Sequence, residues 1–206
     1  MPLQNRVTPF GEIVAVEARG TLMGNRGCLH DDQKRLGPKV WKRVAWITCA
    51  LEYQGIRRPL MQPGQYTELF FLDEVTALAA GHRPCGECRK EALKHFKACW
   101  AKGNDWTEPR LSVADLDAVL HAERIDDQGH KKTFRARLGD LPDGTCVAIA
   151  EQAYVKWKGC LFPWSVNGYG EGMNIEGDRV VDVLTPSSSI NTMRTGYKPE
   201  IHKSIE

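Results

Sequence analysis

Residues 66–90 read YTELFFLDEVTALAAGHRPCGECRK, and the order of signals in that stretch sets the layout of the chain. LDEVTALAA (72–80) is apolar and alanine-rich, with Asp73 placed to cap a helix N-terminus. Gly81 suits the left-handed position just past a helix end, and Pro84 disfavours helical backbone in the residue before it. His82-Arg83 is therefore a break, and the Cys85-x-x-Cys88 pair stands in it. A second helix is expected from about Glu87 to Ala101, burying Ala92, Leu93, Phe96 and Trp100 at helical spacing.

On the N-terminal side, GEIVAVEARGTLM (11–23) and VAWITCALEY (44–53) carry strand-type residues in alternation. GNRG (24–27) reads as a turn and HDDQKRLGPK (30–39) as a polar loop. On the C-terminal side, Ser112-x-x-Asp115 opens a third helix that runs to roughly Arg124, with Val113, Leu116, Val119 and Leu120 on one side. The last third returns to short strands at 145–150, 153–158, 160–164 and 180–185, around a glycine-rich loop at 167–178. A short helix from about Ser188 to Arg194 follows. The expected fold is α+β: a small mixed sheet, a helical centre carrying the Cys85-x-x-Cys88 knuckle, and a strand-rich C-terminal third. The expected domain is single, spanning 1–206, with the metal-binding segment at about 28–100.

Composition bounds the function. With 206 residues, 42% of them hydrophobic, the chain can bury a core without a disulfide or metal staple. Its net charge of +2 does not mark it as a nucleic-acid binder, so that reading rests on basic clusters at 34–43, 83–97 and 131–137. The N-terminus MPLQNRVTPFGE has no apolar signal core, and no apolar run is long enough to span a bilayer. Seven cysteines, an odd number without framework spacing, point to reduced thiols and a cytoplasmic setting.

Two residues between Cys85 and Cys88 let both thiolates face one ion. Tetrahedral zinc needs four ligands, so two must come from elsewhere. The redox alternative needs the pair at the start of a helix that follows a strand. Here it follows a helix with no βαβ pattern in front, which argues against it. Two incidental thiols near a helix start are the remaining alternative.

The stretch also resembles the metal-binding domain of the Ada DNA-repair protein family. There an apolar, Phe-containing strand leads into an Ala-rich helix and then Gly-x-Arg-Pro-Cys-x-x-Cys. Phe70, Phe71, Ala77, Ala79, Ala80, Gly81, Arg83, Pro84, Cys85 and Cys88 match that pattern. The match covers about an eighth of the chain. The resemblance implies that Cys85 and Cys88 form the C-terminal half of a zinc site, and that DNA is the partner. The family's upstream Cys-x-x-x-Cys pair, one of whose cysteines accepts methyl groups, is missing here; only Cys28, His30 and Cys49 precede the knuckle. The expected ligand set is His30, Cys49, Cys85 and Cys88, with Cys28 competing with His30. The missing pair argues against methyl-acceptor activity.

Around the knuckle, Arg83, Arg89, Lys90, Lys94 and Lys97 are expected to contact phosphates of DNA, with RNA as the alternative partner. The length of chain beyond the knuckle suggests a nucleic-acid-processing activity of the hydrolase, nuclease or glycosylase kind. His121 and Glu123 at the end of the third helix are the candidate acid–base groups, with Asn25 and Arg26 holding an anion. The competing function is an enzyme acting on a small molecule, with a purely structural zinc ion.

Overall fold

The computed structural model describes residues 1–55, 59–174 and 176–205. Its first sheet holds β1 (Gln4–Val7), β2 (Ile13–Ala15), β3 (Leu22–Asn25), β4 (Ile47–Cys49), β5 (Leu69–Phe71) and β6 (Arg83–Pro84), in the order β2-β1-β5-β3-β4-β6. The sheet is mixed, because β1 pairs parallel to β5 and β4 parallel to β6. The second sheet contains β7 (Phe134–Arg137), β8 (Cys146–Ile149), β9 (Gln152–Trp157), β10 (Cys160–Ser165), β11 (Gly168–Tyr169) and β13 (Val180–Val183), ordered β11-β10-β9-β8-β13-β7. β12 (Met173–Asn174) pairs with β10 beside them. The helices are α1 (Glu74–Ala79), α2 (Lys90–Gly103), α3 (Val113–Arg124) and α4 (Ser187–Arg194). The α+β expectation holds.

Helix α1 is the layer the two sheets share. All six of its residues are buried. Ala77 and the adjoining Ala80 pack on Val7, Leu22, Leu69 and Phe71 of the first sheet. Val75 and Ala79 pack on Cys146, Ala153 and Val155 of the second. Its alanines let this short helix fit between two sheets, and its two polar residues, Glu74 and Thr76, are paired within the interior. The other helices cover the second sheet, where Phe96, Trp100, Leu116, Leu120 and Ile190 meet Val147 and Val183. Among the described residues, no helix is long and apolar enough to cross a membrane.

Local signals worked where they were specific. Asp73 accepts from the Thr76 amide at 2.8 Å, capping α1 as expected. Ser112 and Asp115 form a reciprocal capping box on α3. The β8–β9 and β9–β10 hairpins turn on two residues each, Ala150-Glu151 and Lys158-Gly159, all four with positive φ. That backbone twist matches the twist of the strands it joins. The GNRG turn is a correction. Gly24 and Asn25 lie inside β3, where Gly24 is required because a Cβ there would sit 2.1 Å from the Ile47 carbonyl oxygen. The glycine-rich 167–178 segment pairs against β10 at Gly168–Tyr169 and Met173–Asn174, although Ile175 falls outside the described residues.

Gly81 ends α1 with φ +85°. A Cβ built there would meet Arg124 Cδ at 2.5 Å. Gly81→Ala therefore combines a left-handed alanine with a clash against a buried side chain. It is expected to lower stability by about 2–4 kcal/mol, read from urea unfolding midpoints. A loss under about 0.5 kcal/mol would show that the segment relaxes freely.

Candidate metal centre

Parallel pairing of β6 with β4 creates the centre. Thr48 stands opposite Pro84, and the Cys85 amide donates to the Thr48 carbonyl at 2.8 Å. That places Cys85 beside Cys49, the last residue of β4. The chain then turns through Gly86 and Glu87 into the start of α2, and the turn returns Cys88 to the same point. The Sγ atoms of Cys49, Cys85 and Cys88 all lie within 4.8 Å of one another. Cys49 and Cys85 are buried and Cys88 is half-buried.

Backbone amides support the sulfurs. The Glu87 amide points at Cys85 Sγ at 3.4 Å, and the Ala50 amide at Cys88 Sγ at 3.4 Å. Such donors favour the thiolate form. The closeness of the Cys49 and Cys85 thiols pulls the Cys85 pKa down and pushes that of Cys49 far up. The Cys85 thiolate is thus the first negative charge of the cluster.

The donor set fits zinc. Tetrahedral zinc bonds thiolate sulfur at about 2.3 Å, so its sulfurs stand about 3.8 Å apart. Three sulfurs already within 4.8 Å need only small side-chain adjustments to close on an ion. Soft sulfur ligands select zinc, copper(I) or iron–sulfur chemistry over calcium or magnesium.

His30 does not join this group. Its Nδ1 pairs with Thr67 Oγ1 at 2.7 Å and its Nε2 with the Gln62 carbonyl at 3.2 Å. Both ring nitrogens are therefore used in anchoring the 61–67 segment. Cys28 Sγ lies 3.6 Å from the His30 carbonyl oxygen and is also outside the cluster. Among the described residues, no fourth His, Cys, Asp or Glu completes the coordination.

The basic residues divide into two sets. Arg83 is buried and forms a two-point ion pair with Asp117 of α3, at 2.9 and 2.7 Å. Arg89 is buried between Glu74 of α1, at 2.9 Å, and Thr48 Oγ1, at 2.9 Å. Both hold the knuckle onto its neighbours instead of meeting a polyanion, which corrects their expected role. Lys90 and Lys94 are exposed and Lys97 half-exposed on the outer face of α2.

The proposed catalytic group separates as well. Glu123 accepts from the Ser188 amide at 3.1 Å and hydroxyl at 2.6 Å, pinning the start of α4. Asn25 is buried and accepts from the Gly27 amide at 3.3 Å, within its own turn. His121 and Arg26 do share surroundings. The Arg26 guanidinium packs 3.9 Å from the Trp46 ring centre, and the His121 ring lies 6.5 Å from that same ring. His121 Nδ1 accepts from Arg124 at 2.9 Å, and both burial and that cation depress its basicity.

Three participants in this region, Trp46, His82 and Lys131, were not legible as such. His82 is fully buried, its Nε2 accepting from Arg26 Nε at 3.0 Å and its Nδ1 donating to the Ile47 carbonyl at 3.1 Å. Burial and the Arg26 charge keep it neutral. His82 stands three residues ahead of Cys85, and nothing in its sequence neighbours announces that it orients an arginine. No family model, curated protein or solved structure matches the chain.

Proposed function

We propose that this protein binds zinc through the thiolates of Cys49, Cys85 and Cys88 and acts on nucleic acid. The convergence of three sulfurs from two separate segments, with amides aimed at two of them, carries the zinc reading. When bound, the ion supplies a cross-link between the end of β4 and the start of α2. Three protein ligands also leave a coordination position for water or an added ligand.

The nucleic-acid reading is supported by what that cross-link would fix. Lys90, Lys94 and Lys97 begin two residues after Cys88 and recur at spacings of four and three, so they line one face of α2. A lysine row on a rigid helix suits backbone phosphates, which give affinity without sequence preference. The resemblance of 66–90 to the Ada-type segment points the same way.

Salt titration of oligonucleotide binding tests this. Each lysine that neutralises a phosphate contributes about one unit to the slope of log affinity against log salt. Replacing Lys90, Lys94 and Lys97 together by Ala is expected to reduce that slope by about three and weaken binding to single and double strands alike. Absence of binding at low salt would leave the small-molecule reading, with zinc purely structural.

A further inference from the structure

A cavity of about 290 Å³ opens beside Trp46, lined by Arg26, Arg124 and Lys131 together with Phe10 and Glu12. The cations come from three places in the chain: just after β3, the last turn of α3, and the loop beyond α3. Arg26 is 1% exposed and Arg124 0%. Both guanidiniums pack on the Trp46 ring, with centroid distances of 3.9 and 4.0 Å.

Their charges are not neutralised by acids among the described residues. Arg26 donates to neutral His82 and, at 2.9 Å, to the Gly11 carbonyl, while its Nη2 is buried without a partner. A Cβ built at Gly11, another wall of the cavity, would lie 3.8 Å from that Nη2. Arg124 donates to the Gly81 carbonyl at 3.0 Å, to the Val44 carbonyl and to His121, leaving only its Nε unpartnered. Lys131 donates to the Ala79 carbonyl. Asp117 attracts Arg124, but both its oxygens already engage Arg83. Glu12, the one acid lining the cavity, is exposed.

A buried cation without a counter-ion is costly, and cations grouped together repel one another. Cation–π contact with Trp46 and hydrogen bonds to carbonyls offset part of this. A folded chain that keeps such a group around an open space is preorganised for a negative ligand. Two guanidiniums and an ammonium lining one cavity match the several oxygens of a phosphate better than a single carboxylate.

We propose that this cavity binds a phosphate-type oxyanion, a phosphomonoester or diphosphate, held by Arg26, Arg124 and Lys131. The site uses none of the thiolates and goes beyond the zinc reading, so either can fail alone. Burial and the neighbouring guanidiniums lower Lys131 to about 7 and Arg26 to about 9, the direction expected of cations waiting for a charge partner. Both shifts reverse when an anion arrives.

Inorganic pyrophosphate is the first probe, titrated by calorimetry and thermal unfolding at low ionic strength. Sulfate, a mononucleotide, and one oligonucleotide with and without a 5′-phosphate are the competing arms. Pyrophosphate is expected to bind and to raise the melting temperature. Lys131→Met is expected to weaken it about tenfold, the effect of one charge-assisted hydrogen bond, while leaving the free protein as stable or more stable. That pairing separates a ligand-binding lysine from a structural one, whose loss would lower stability. Arg26→Gln should abolish binding if it folds; Lys131→Met decides the matter if it does not. Competition by the mononucleotide assigns the site to free phosphomonoesters, and competition only by the 5′-phosphorylated strand assigns it to nucleic-acid ends. No anion-dependent stabilisation in the unmutated protein, or an equal response in Lys131→Met, would overturn the proposal.

Discussion

Asp117→Ala should lower stability by about 3–5 kcal/mol, the cost of stranding a buried partner charge. Asp117 and Arg83 have side chains only 7% and 6% exposed, and they meet at two points. Removing the carboxylate leaves Arg83 buried and deprives Arg124 of its attracting charge. Replacing both partners, Arg83→Met with Asp117→Leu, should recover most of the loss, because two apolar groups need no counter-ion. Urea unfolding of the two single variants and the double completes the cycle. A cost under about 1 kcal/mol for Asp117→Ala would place the pair in solvent-like surroundings instead. The cycle also bears on function: Arg83→Ala should act on folding, with little effect on oligonucleotide affinity at temperatures where the variant remains folded.

Metal removal should produce the second large effect. An ion present at about a thousand times its dissociation constant stabilises the folded state by about 4 kcal/mol. For a chain of this size, each kcal/mol shifts the melting temperature by about 2–4 °C. Chelation or Cys85→Ser is therefore expected to lower melting by about 8–16 °C. The effect should be a shift and not loss of the fold, because separate apolar cores lie on the far sides of α1 and under α2 and α3. His30→Ala should leave metal content unchanged, since its ring nitrogens are spent on Thr67 and Gln62. Coincident melting of metal-loaded and chelated protein would show that the ion is not part of the folded state.

The legible parts of this structure were those set by neighbours in sequence. The Asp73 cap, the Gly81 helix end and the Ser112–Asp115 box are local hydrogen-bond and φ requirements, and each appears as expected. Cys85 and Cys88 needed only their own spacing. Cys49 was reachable because it ends a strand that precedes the knuckle. What escaped depends on tertiary pairing. β6 is two residues long and exists because β4 runs beside it. β7, FRAR, alternates apolar and polar residues over only four positions and is mostly exposed, too short a signal to read alone; its strand character comes from pairing with β13.

Charge was the least legible property. Arg83 and Arg89 look in sequence like Lys90 and Lys94, but their partners stand far along the chain, at Asp117 and Glu74. A run of basic residues thus splits into buried ion pairs and an exposed row; helical spacing groups the lysines, but nothing within 83–97 marks Arg83 and Arg89 as buried. The same holds for Arg26, which lies about a hundred residues from Arg124 and Lys131 and meets them only around one cavity.

X-ray absorption at the zinc edge, on protein purified without added metal or chelator, tests the thiolate centre most directly. The expected spectrum has about three sulfur neighbours near 2.3 Å and one lighter donor at about 2.0–2.1 Å. Cys49→Ser should remove one sulfur from that shell. Absence of bound zinc, or a shell of nitrogen and oxygen alone, would contradict the assignment of Cys49, Cys85 and Cys88.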